Sequence, residues 1–362
     1  MKKSLLAVAV AAALPAAAFA QTNVTLYGIA DIGIGSADTD AAVGNSRATF
    51  VESGIQSTSR VGIRGTEDLG GGLKAMFNIE HGMQYDDGTS DANGAGMWQR
   101  RAVAGLAGSW GEVRLGRDYT TGFSAMGTTD VMGYGLYGNW LTFTAGAGGI
   151  QTRASNAIWY TSPAFGNTKC MAVPAPTECN AFSGGLTVTA FYSAGHSANE
   201  SAKNKDDGYG LAAVYRGGPA TAQLYYQELN NLAGDATKQM GLGGGWNFGA
   251  FRVTLAYGQS EATTGVKTKA WGLGGGVKVG AGEILAQAIQ IKDDSAADPK
   301  GTAWGLAYVH PLSKRTNVYA TYGTTRNNST GAYPVMGSDQ RIAAGNAGAD
   351  PSAFAVGVRH MF

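Results

Sequence analysis

Residues 59–80 read SRVGIRGTEDLGGGLKAMFNIE and contain the repeating unit from which the chain is built. In the first half, Val61 and Ile63 alternate with Arg60, Gly62 and Arg64. The second half repeats the pattern, with Ala75, Phe77 and Ile79 opposite Lys74, Asn78 and Glu80. A period of two is typical of a strand with one apolar and one polar face. The glycine-rich segment between the halves predicts a tight turn that joins two antiparallel strands.

The same unit recurs over most of the chain. Short turns alternate with longer polar loops, and the segments between them are strands of about ten residues. Counting these segments predicts an all-β fold of about 16 antiparallel strands, which is typical of a transmembrane β-barrel. A soluble all-β protein with its apolar face buried stays open as an alternative, because one-sided strands occur in both classes.

The first 20 residues have the features of a secretory signal. A basic start at Lys2 and Lys3 precedes an apolar stretch, and AFA at 18–20 fits a cleavage site. We therefore expect a signal peptide over 1–20 and a mature barrel over 21–362. Losing the two lysines lowers the formal net charge from +1 to about −1. A chain so close to neutral is not expected to bind nucleic acid, which selects for basic surfaces.

Two features favour the membrane barrel over the soluble protein. The chain ends in FAVGVRHMF, an alternating strand that terminates at the aromatic Phe362. Aromatic residues also recur near strand ends, as the girdles at the two membrane interfaces require. The candidates for these girdles are Tyr27, Trp98, Trp110, Tyr160, Trp246, Trp271 and Tyr308.

Several motifs resemble those of the Gram-negative general porins. They are VTLYG (24–28), residues 59–80, RRAVAGL (100–106), GEVRLGRDY (111–119), RASNAIWYTSP (153–163), PLSKRTNVYATY (311–322) and GVRHMF (357–362). The resemblance implies a homotrimer in the outer membrane of a Gram-negative bacterium, in contact with lipid and lipopolysaccharide. It implies passive diffusion of small hydrophilic solutes, no enzymatic activity and no cofactor. It also implies that the barrel-assembly machinery reads the C-terminal strand, with Phe362 as its signal.

Residues 118–150 form the longest interruption of the strand pattern. They read DYTTGFSAMGTTDVMGYGLYGNWLTFTAGAGGI and carry many apolar residues but only two charges, Asp118 and Asp130. Such a composition predicts a loop that packs on other parts of the protein. A 16-stranded barrel leaves an aqueous channel that its side chains do not fill. The resemblance implies that this is the third loop, which folds into the lumen and narrows it.

Charged residues on the polar face of the strands are candidates for the channel lining. Strand parity and the family resemblance select Arg60, Arg100 and Arg153 as a basic ladder opposite the loop. The other inward candidates are the basic residues Arg64, Lys74 and Arg114 and the acids Glu80 and Glu112, and we expect Asp118 and Asp130 to start and line the loop. Charged rings bias which ions pass through a pore. Basic candidates outnumber acidic ones in the constriction, so we expect weak anion selectivity, with structural salt bridges as the alternative role.

The two cysteines lie in an insert at 164–184, where the strand pattern leads us to expect a short periplasmic turn. Cys170 and Cys179 are close in sequence and the chain is exported, so a local disulfide is expected. Metal binding is the weaker alternative, because the sequence has no second cysteine pair and no histidine nearby. The insert is also a departure from the porin family, in which this turn is brief.

Other motifs give little support to an enzyme. Residues 133–138 (GYGLYG) match a dinucleotide-binding pattern, but they lie in the long loop and not between a strand and a helix. The acidic stretch 86–91 lacks the closing glutamate of a calcium loop. The four histidines are scattered. A closed barrel that serves in adhesion or as an outer-membrane enzyme is the alternative to an open channel.

Overall fold

The computed structural model describes residues 23–91, 96–166, 185–195, 207–231 and 235–362. The expected signal peptide, Cys170 and Cys179 lie outside the described residues, so the cleavage site and the disulfide stay predictions.

The described residues form nineteen strands. They are β1 (Asn23–Asp38), β2 (Arg47–Ser53), β3 (Arg60–Gly70), β4 (Leu73–Gly82), β5 (Arg101–Gly108), β6 (Gly111–Tyr119), β7 (Arg153–Thr161), β8 (Gly185–Ser193), β9 (Gly208–Gly217), β10 (Ala220–Asn230), β11 (Ala236–Asn247), β12 (Phe251–Glu261), β13 (Lys267–Val279), β14 (Gly282–Asp293), β15 (Lys300–Pro311), β16 (Thr316–Asn327), β17 (Val335–Met336), β18 (Arg341–Ile342) and β19 (Ser352–Met361). Consecutive strands from β3 to β16 pair with antiparallel neighbours, and β17 pairs only with β18.

The sheet closes on itself between the first and last strands. β1 pairs with β19 from Ile29 opposite Met361 to Asp38 opposite Ser352. On its other edge, β1 pairs first with β3 and then with β2. β2 and β3 therefore share one strand position, interrupted at residues 54–59. The 17 paired segments thus form a closed barrel of 16 strands, which confirms the predicted fold.

The barrel has an apolar outer face and a more polar inner face. Leu242, Leu255 and Leu273 are about half exposed on neighbouring strands. The residues that alternate with them along each strand point inward. Gln227 and Gln287 are buried on the inner face. A soluble sandwich has the reverse arrangement, since it buries its apolar face. An apolar outer face with a polar inner face is the arrangement of a barrel surrounded by lipid.

Five of the seven girdle candidates lie exposed on the outside, namely Trp110, Tyr160, Trp246, Trp271 and Tyr308. The prediction is wrong for Tyr27, whose side chain faces inward and donates to Asn78 Oδ1 at 2.9 Å. Its position in the strand, two residues from Thr25, gives it the inward parity. Trp98 lies outside the strands, with its ring edge-on to His81.

The long loop between β6 and β7 contains two short helices. α1 covers Thr121–Met126, where the Thr120 side chain accepts from the backbone N–H of Phe123. A 3₁₀-helix covers Trp140–Ala145. Asp118 belongs to β6 and lies opposite Ala154 of β7. The loop therefore covers 120–152 and does not begin at Asp118 as expected. None of the described segments contains a helix long and apolar enough to cross a membrane.

Candidate functional site

The loop 120–152 packs against the inner face of the wall. The backbone N–H of Tyr137 donates to Thr321 Oγ1 on β16 at 3.0 Å. Glycine on the neighbouring strand makes this approach possible, because a Cβ at Gly305 would lie 1.9 Å from the Tyr137 carbonyl oxygen. A Cβ at Gly272 would likewise lie 2.4 Å from the ring of Trp140. Inward-facing glycines on β13 and β15 therefore leave room for the loop.

Asp130 holds the central turn of the loop together. Its carboxylate accepts from the backbone N–H groups of Met132, Tyr134 and Trp140, and from Gln287 Nε2 on β14 at 2.7 Å. Burial raises the pKa of Asp130, and the hydrogen bond from Gln287 opposes the rise. The carboxylate is enclosed by these donors, so the structure places it inside the loop and not on a surface that ions touch.

A second loop, 328–351, also reaches the inner side of the barrel. Its Gln340 accepts from the hydroxyl of Tyr137 and donates to Glu52 Oε2 at 2.9 Å. Its Asp339 accepts from Thr58 Oγ1 at 2.5 Å. The loops 120–152 and 328–351 thus interlock beside residues 54–59, the interruption between β2 and β3. No local pattern in the sequence predicts this contact.

The structure brings the three residues of the predicted ladder together. Arg100 Nε lies 2.8 Å from Glu80 Oε1, and Arg60 Nη1 lies 3.6 Å from the same atom. Arg153 Nε donates to the backbone carbonyl of Arg100 at 2.8 Å. The side chain of Arg60 is 19% exposed and that of Arg100 only 3%. Arg60 is therefore the arginine of this pair that is more open to the water of the lumen.

Two residues that the sequence analysis missed complete this cluster. Tyr119 accepts from Arg100 Nη2 at 2.9 Å and from Arg153 Nη2 at 3.1 Å, and its ring lies under the Arg153 guanidinium. Asp91 Oδ2 lies 3.0 Å from Arg100 Nη1. We call Arg60, Arg100, Arg153, Glu80, Asp91 and Tyr119 the ladder cluster. Its three arginines face two carboxylates.

A separate ion-pair group lies around Asp118. Arg101 Nε and Arg114 Nε lie 2.8 and 2.9 Å from its two carboxylate oxygens. Arg114 also pairs with Glu112 at 2.5 Å. Asp118 is almost completely buried between these partners. It therefore ties β5 to β6 and does not line the loop. Arg101, which was not among the predicted residues, lies directly opposite Glu80 across the sheet and so shares its inward parity.

Arg64 and Lys74 lie on the inner face but away from the ladder cluster. The Arg64 guanidinium lies 5.2 Å from the centre of the Tyr27 ring. Lys74 lies opposite Asp68 in the register of β3 and β4. It precedes Glu80 by six positions on β4. At about 3.3 Å per residue, Lys74 is roughly 20 Å nearer the short-turn end than Glu80.

The motifs considered for metal, calcium or dinucleotide binding have structural roles. Within the described ranges, no group of three or more His, Cys, Asp or Glu side chains is placed to hold a metal ion. In the acidic stretch, Asp86 Oδ1 accepts from the backbone of Ser53, and Asp87 Oδ1 accepts from the backbone and hydroxyl of Thr89. The segment 133–138 is part of the packed loop, where Gly135 abuts the carbonyl of Gln56.

A closed barrel with an apolar exterior, a charged interior and loops packed inside it defines a protein of the membrane-channel class. Comparison of the sequence with known protein families identifies the family within this class. The model described as "Gram-negative porin" matches residues 7–175 and 180–330. The chain therefore belongs to the Gram-negative porin family, and it is a multi-pass protein of the outer membrane.

Relatives of known identity agree with this assignment. Outer membrane porin protein 32 of Delftia acidovorans is 34% identical, over 100% of both chains. An outer membrane porin protein of Bordetella pertussis is 32% identical, over 68% of this chain and 66% of its own. Among solved structures, the anion-selective porin from Comamonas acidovorans has a TM-score of 0.76 at 30% identity, covering 94% of this chain and 100% of its own.

Proposed function

We propose that the chain forms a water-filled channel through which small hydrophilic solutes and ions diffuse, with a weak preference for anions. The observation that carries this proposal is the ladder cluster, in which three arginines face two carboxylates on the inner wall. Fixed charge in a narrow passage of low-dielectric walls concentrates ions of the opposite sign. The 30% identity to a porin described as anion-selective supports a preference for anions over cations.

The narrowest part of the channel lies, in this proposal, between the ladder cluster and the two interlocked loops. The loops 120–152 and 328–351 pack against β14, β15 and β16, so they occupy space that a bare barrel of 16 strands would leave to water. The side chain of Arg60 is more exposed to that space than the side chain of Arg100. It is therefore the residue we expect to influence passing ions most.

The zero-current potential of the purified protein in a planar bilayer tests the proposal. Under a KCl gradient, we expect stepwise currents and a potential of the sign that reports chloride preference. Arg60→Gln should move the potential toward cation preference. Lys238→Gln is the matched control, because Lys238 has the outward parity of Met240 and Leu242 on β11. Clear cation preference of the unaltered protein refutes the proposed selectivity, and a lack of stepwise current indicates a closed barrel.

We also propose that the protein assembles as a homotrimer through the outer face around β1 and β19. The apolar side chains of Ile34, Val356 and Val358 are exposed there and form one continuous surface. The small residues Ala353 and Ala355 on β19 are buried on the inner face and are not available to such an interface. The interface would thus use the larger residues. Cross-linking of detergent-extracted protein tests the trimer, and a product no larger than a monomer contradicts it.

The C-terminal residue is proposed to be the signal for barrel assembly. Phe362 and Gly28 exchange two backbone hydrogen bonds of 3.1 Å, and the Phe362 ring lies over Gly28. The last residue therefore completes the contact that closes the barrel. Deleting Phe362 should lower the yield of heat-modifiable, folded protein in the outer membrane. Unchanged yield would contradict the role.

The local disulfide between Cys170 and Cys179 is proposed from the exported location of the chain. Alkylation with and without prior reduction, followed by mass spectrometry of the intact protein, tests it. Two alkyl groups added only after reduction support the bond. Two groups added without reduction refute it.

A further inference from the structure

Three aromatic rings form a stacked column beside the ladder cluster. The centre of the Phe123 ring on α1 lies 5.2 Å from that of Tyr119, with their planes at 12°. The Tyr134 ring follows, with its centre 4.4 Å from that of Phe123 and the planes at 26°. We call Tyr119, Phe123 and Tyr134 the ring column. Tyr119 belongs to both groups, so the ring column continues the ladder cluster along the loop 120–152.

The ring column is packed on one side and open on the other. Phe123 and Tyr134 pack against a buried apolar cluster that includes Met126 and Trp140. All three rings of the column are nevertheless only partly buried. They lie inside a closed barrel, so the surface that they leave open faces the lumen.

Both hydroxyl groups of the ring column are turned into the protein. The hydroxyl of Tyr119 accepts from Arg100 and Arg153 at 2.9 and 3.1 Å. The hydroxyl of Tyr134 donates to the backbone carbonyl of Phe123 at 2.8 Å. The open surface is therefore hydrocarbon. Stacked rings cover each other's faces and leave their edges open, and the edge is the positive end of the ring quadrupole.

The backbone of Tyr134 is strained where it holds the third ring. Its φ is +58°, in the left-handed region that bulky residues rarely adopt. The Asp130 carboxylate stabilises this conformation, because it accepts from the backbone N–H of Tyr134 at 2.9 Å. Backbone strain of this kind costs free energy and clusters at functional sites. The position of the third ring thus indicates a role beyond filling space.

The exposed charge next to the ring column is positive. The guanidinium of Arg101 lies 5.8 Å from the centre of the Tyr119 ring, and the Arg101 side chain is 32% exposed. Arg60 is the second exposed arginine, at 19%. The carboxylates that pair with these two arginines are enclosed, since Asp118 is only 2% exposed and Glu80 only 8%. A solute beside the ring column therefore meets guanidinium groups and little carboxylate.

We propose that the ring column and Arg101 form a binding site for aromatic carboxylates. The proposal rests on the proposed channel function, because the solute reaches the site through the lumen. The carboxylate pairs with the Arg101 guanidinium, while the negative face of the solute ring lies against the positive edges of the column. Chloride uses only the first of these contacts, and an aliphatic carboxylate has no negative ring face. The site therefore favours aromatic carboxylates over both.

Block of the chloride current by benzoate tests the proposal. The full chain is reconstituted in planar bilayers in KCl at pH 7, where carboxylic acids are ionised. Cyclohexanecarboxylate matches benzoate in charge and approximate size but has no aromatic face. Benzoate should reach half-maximal block at a concentration about ten-fold lower than cyclohexanecarboxylate. Benzamide keeps the ring and loses the charge, so it should need about five-fold more than benzoate.

Phe123→Leu removes the central ring and keeps an apolar side chain against Met126 and Trp140. The matched control is Phe248→Leu, the same exchange at an exposed ring in the short turn between β11 and β12. Phe123→Leu should raise the half-blocking concentration of benzoate about three-fold and leave that of cyclohexanecarboxylate unchanged. Phe248→Leu should change neither value. Equal block of the unaltered protein by the two acids overturns the site, as does equal benzoate block of the two variants.

Binding in detergent separates this site from the proposed channel function. Saturation-transfer NMR of benzoate with the full chain gives dissociation constants without any current. Preferential binding of benzoate without stepwise currents would refute the channel alone. Stepwise currents without a preference for benzoate would refute the site alone. The comparison of the two acids on the unaltered protein requires no variant, so it decides the site even where Phe123→Leu lowers the melting temperature below that of Phe248→Leu.

Discussion

Replacing Arg60 with glutamine should weaken the anion preference while leaving the barrel intact. Glu80 keeps Arg100 at 2.8 Å when Arg60 is removed, so no buried carboxylate loses its last partner. The side chain of Arg60 is also partly exposed, which limits the loss of packing. The effect of the substitution is therefore mainly the loss of one positive charge beside the path of the ions.

The size of the effect follows from Coulomb's law. A unit charge about 8 Å from an ion contributes about 0.5 kcal/mol at the dielectric constant of water. Screening with a Debye length of about 10 Å at 0.1 M salt reduces this to about 0.2 kcal/mol. Chloride and potassium then change about 1.5-fold in opposite directions, so the ratio of their permeabilities should fall about two-fold.

The zero-current potential in a KCl gradient measures that ratio. Arg153→Gln gives the comparison, because Arg153 is enclosed by the Arg100 carbonyl and the Tyr119 ring and lies farther from lumen water. We expect Arg153→Gln to change the ratio less and the melting temperature more than Arg60→Gln does. An unchanged ratio in Arg60→Gln, or a larger change in Arg153→Gln, would refute the reasoning.

Three further outcomes are expected. Gly305→Ala should displace the loop 120–152 and raise single-channel conductance, because its Cβ would lie 1.9 Å from the Tyr137 carbonyl oxygen, whereas Gly244→Ala has no contact closer than 3.4 Å and should conduct normally. Burial raises the pKa of Asp339 to about 7, so its carboxyl is neutral below that pH and charged above it. Anion preference should therefore fall as pH rises from about 5 to about 9, and Asp339→Asn should remove the part of this change that titrates near 7; an identical pH profile in the variant counts against this role. Asp118→Asn leaves Arg101 and Arg114 without their shared carboxylate, so it should destabilise the barrel by about 3 kcal/mol, seen as a lower melting temperature in detergent, and an unchanged melting temperature would contradict the assignment.

The fold could be predicted because each strand carries its own local signal. The parity within residues 59–80 already places Arg60 and Glu80 on the same face, and the structure pairs their side chains. The same parity places Tyr27 on the inner face with Thr25 and Asp31. Tyr27 was predicted to lie in the girdle only because it is near a strand end. In an alternating strand, parity decides the face, and nearness to the end decides only the height.

The contents of the lumen could be predicted only in part. The composition of the loop 120–152 predicts that it packs on something, but its anchors lie far away in sequence. Asp130 is held by Gln287, and Tyr137 is held by Thr321 and Gln340. No local pattern marks these partners. Asp339 reaches Thr58 for the same reason, because closure of the barrel brings the last loop beside the first strands.

The conductance of the protein before and after removal of Gly127–Gly138 tests the central claim most directly. This segment contains Asp130 and Tyr137, the residues that fix the loop to the inner wall. Replacing it with a short Gly-Ser linker should leave a folded barrel whose single-channel conductance is higher and which admits larger neutral polymers. The unaltered protein should show smaller stepwise currents and exclude those polymers. Equal conductance and equal exclusion in the two proteins would mean that the loop does not narrow the channel, which would contradict the account.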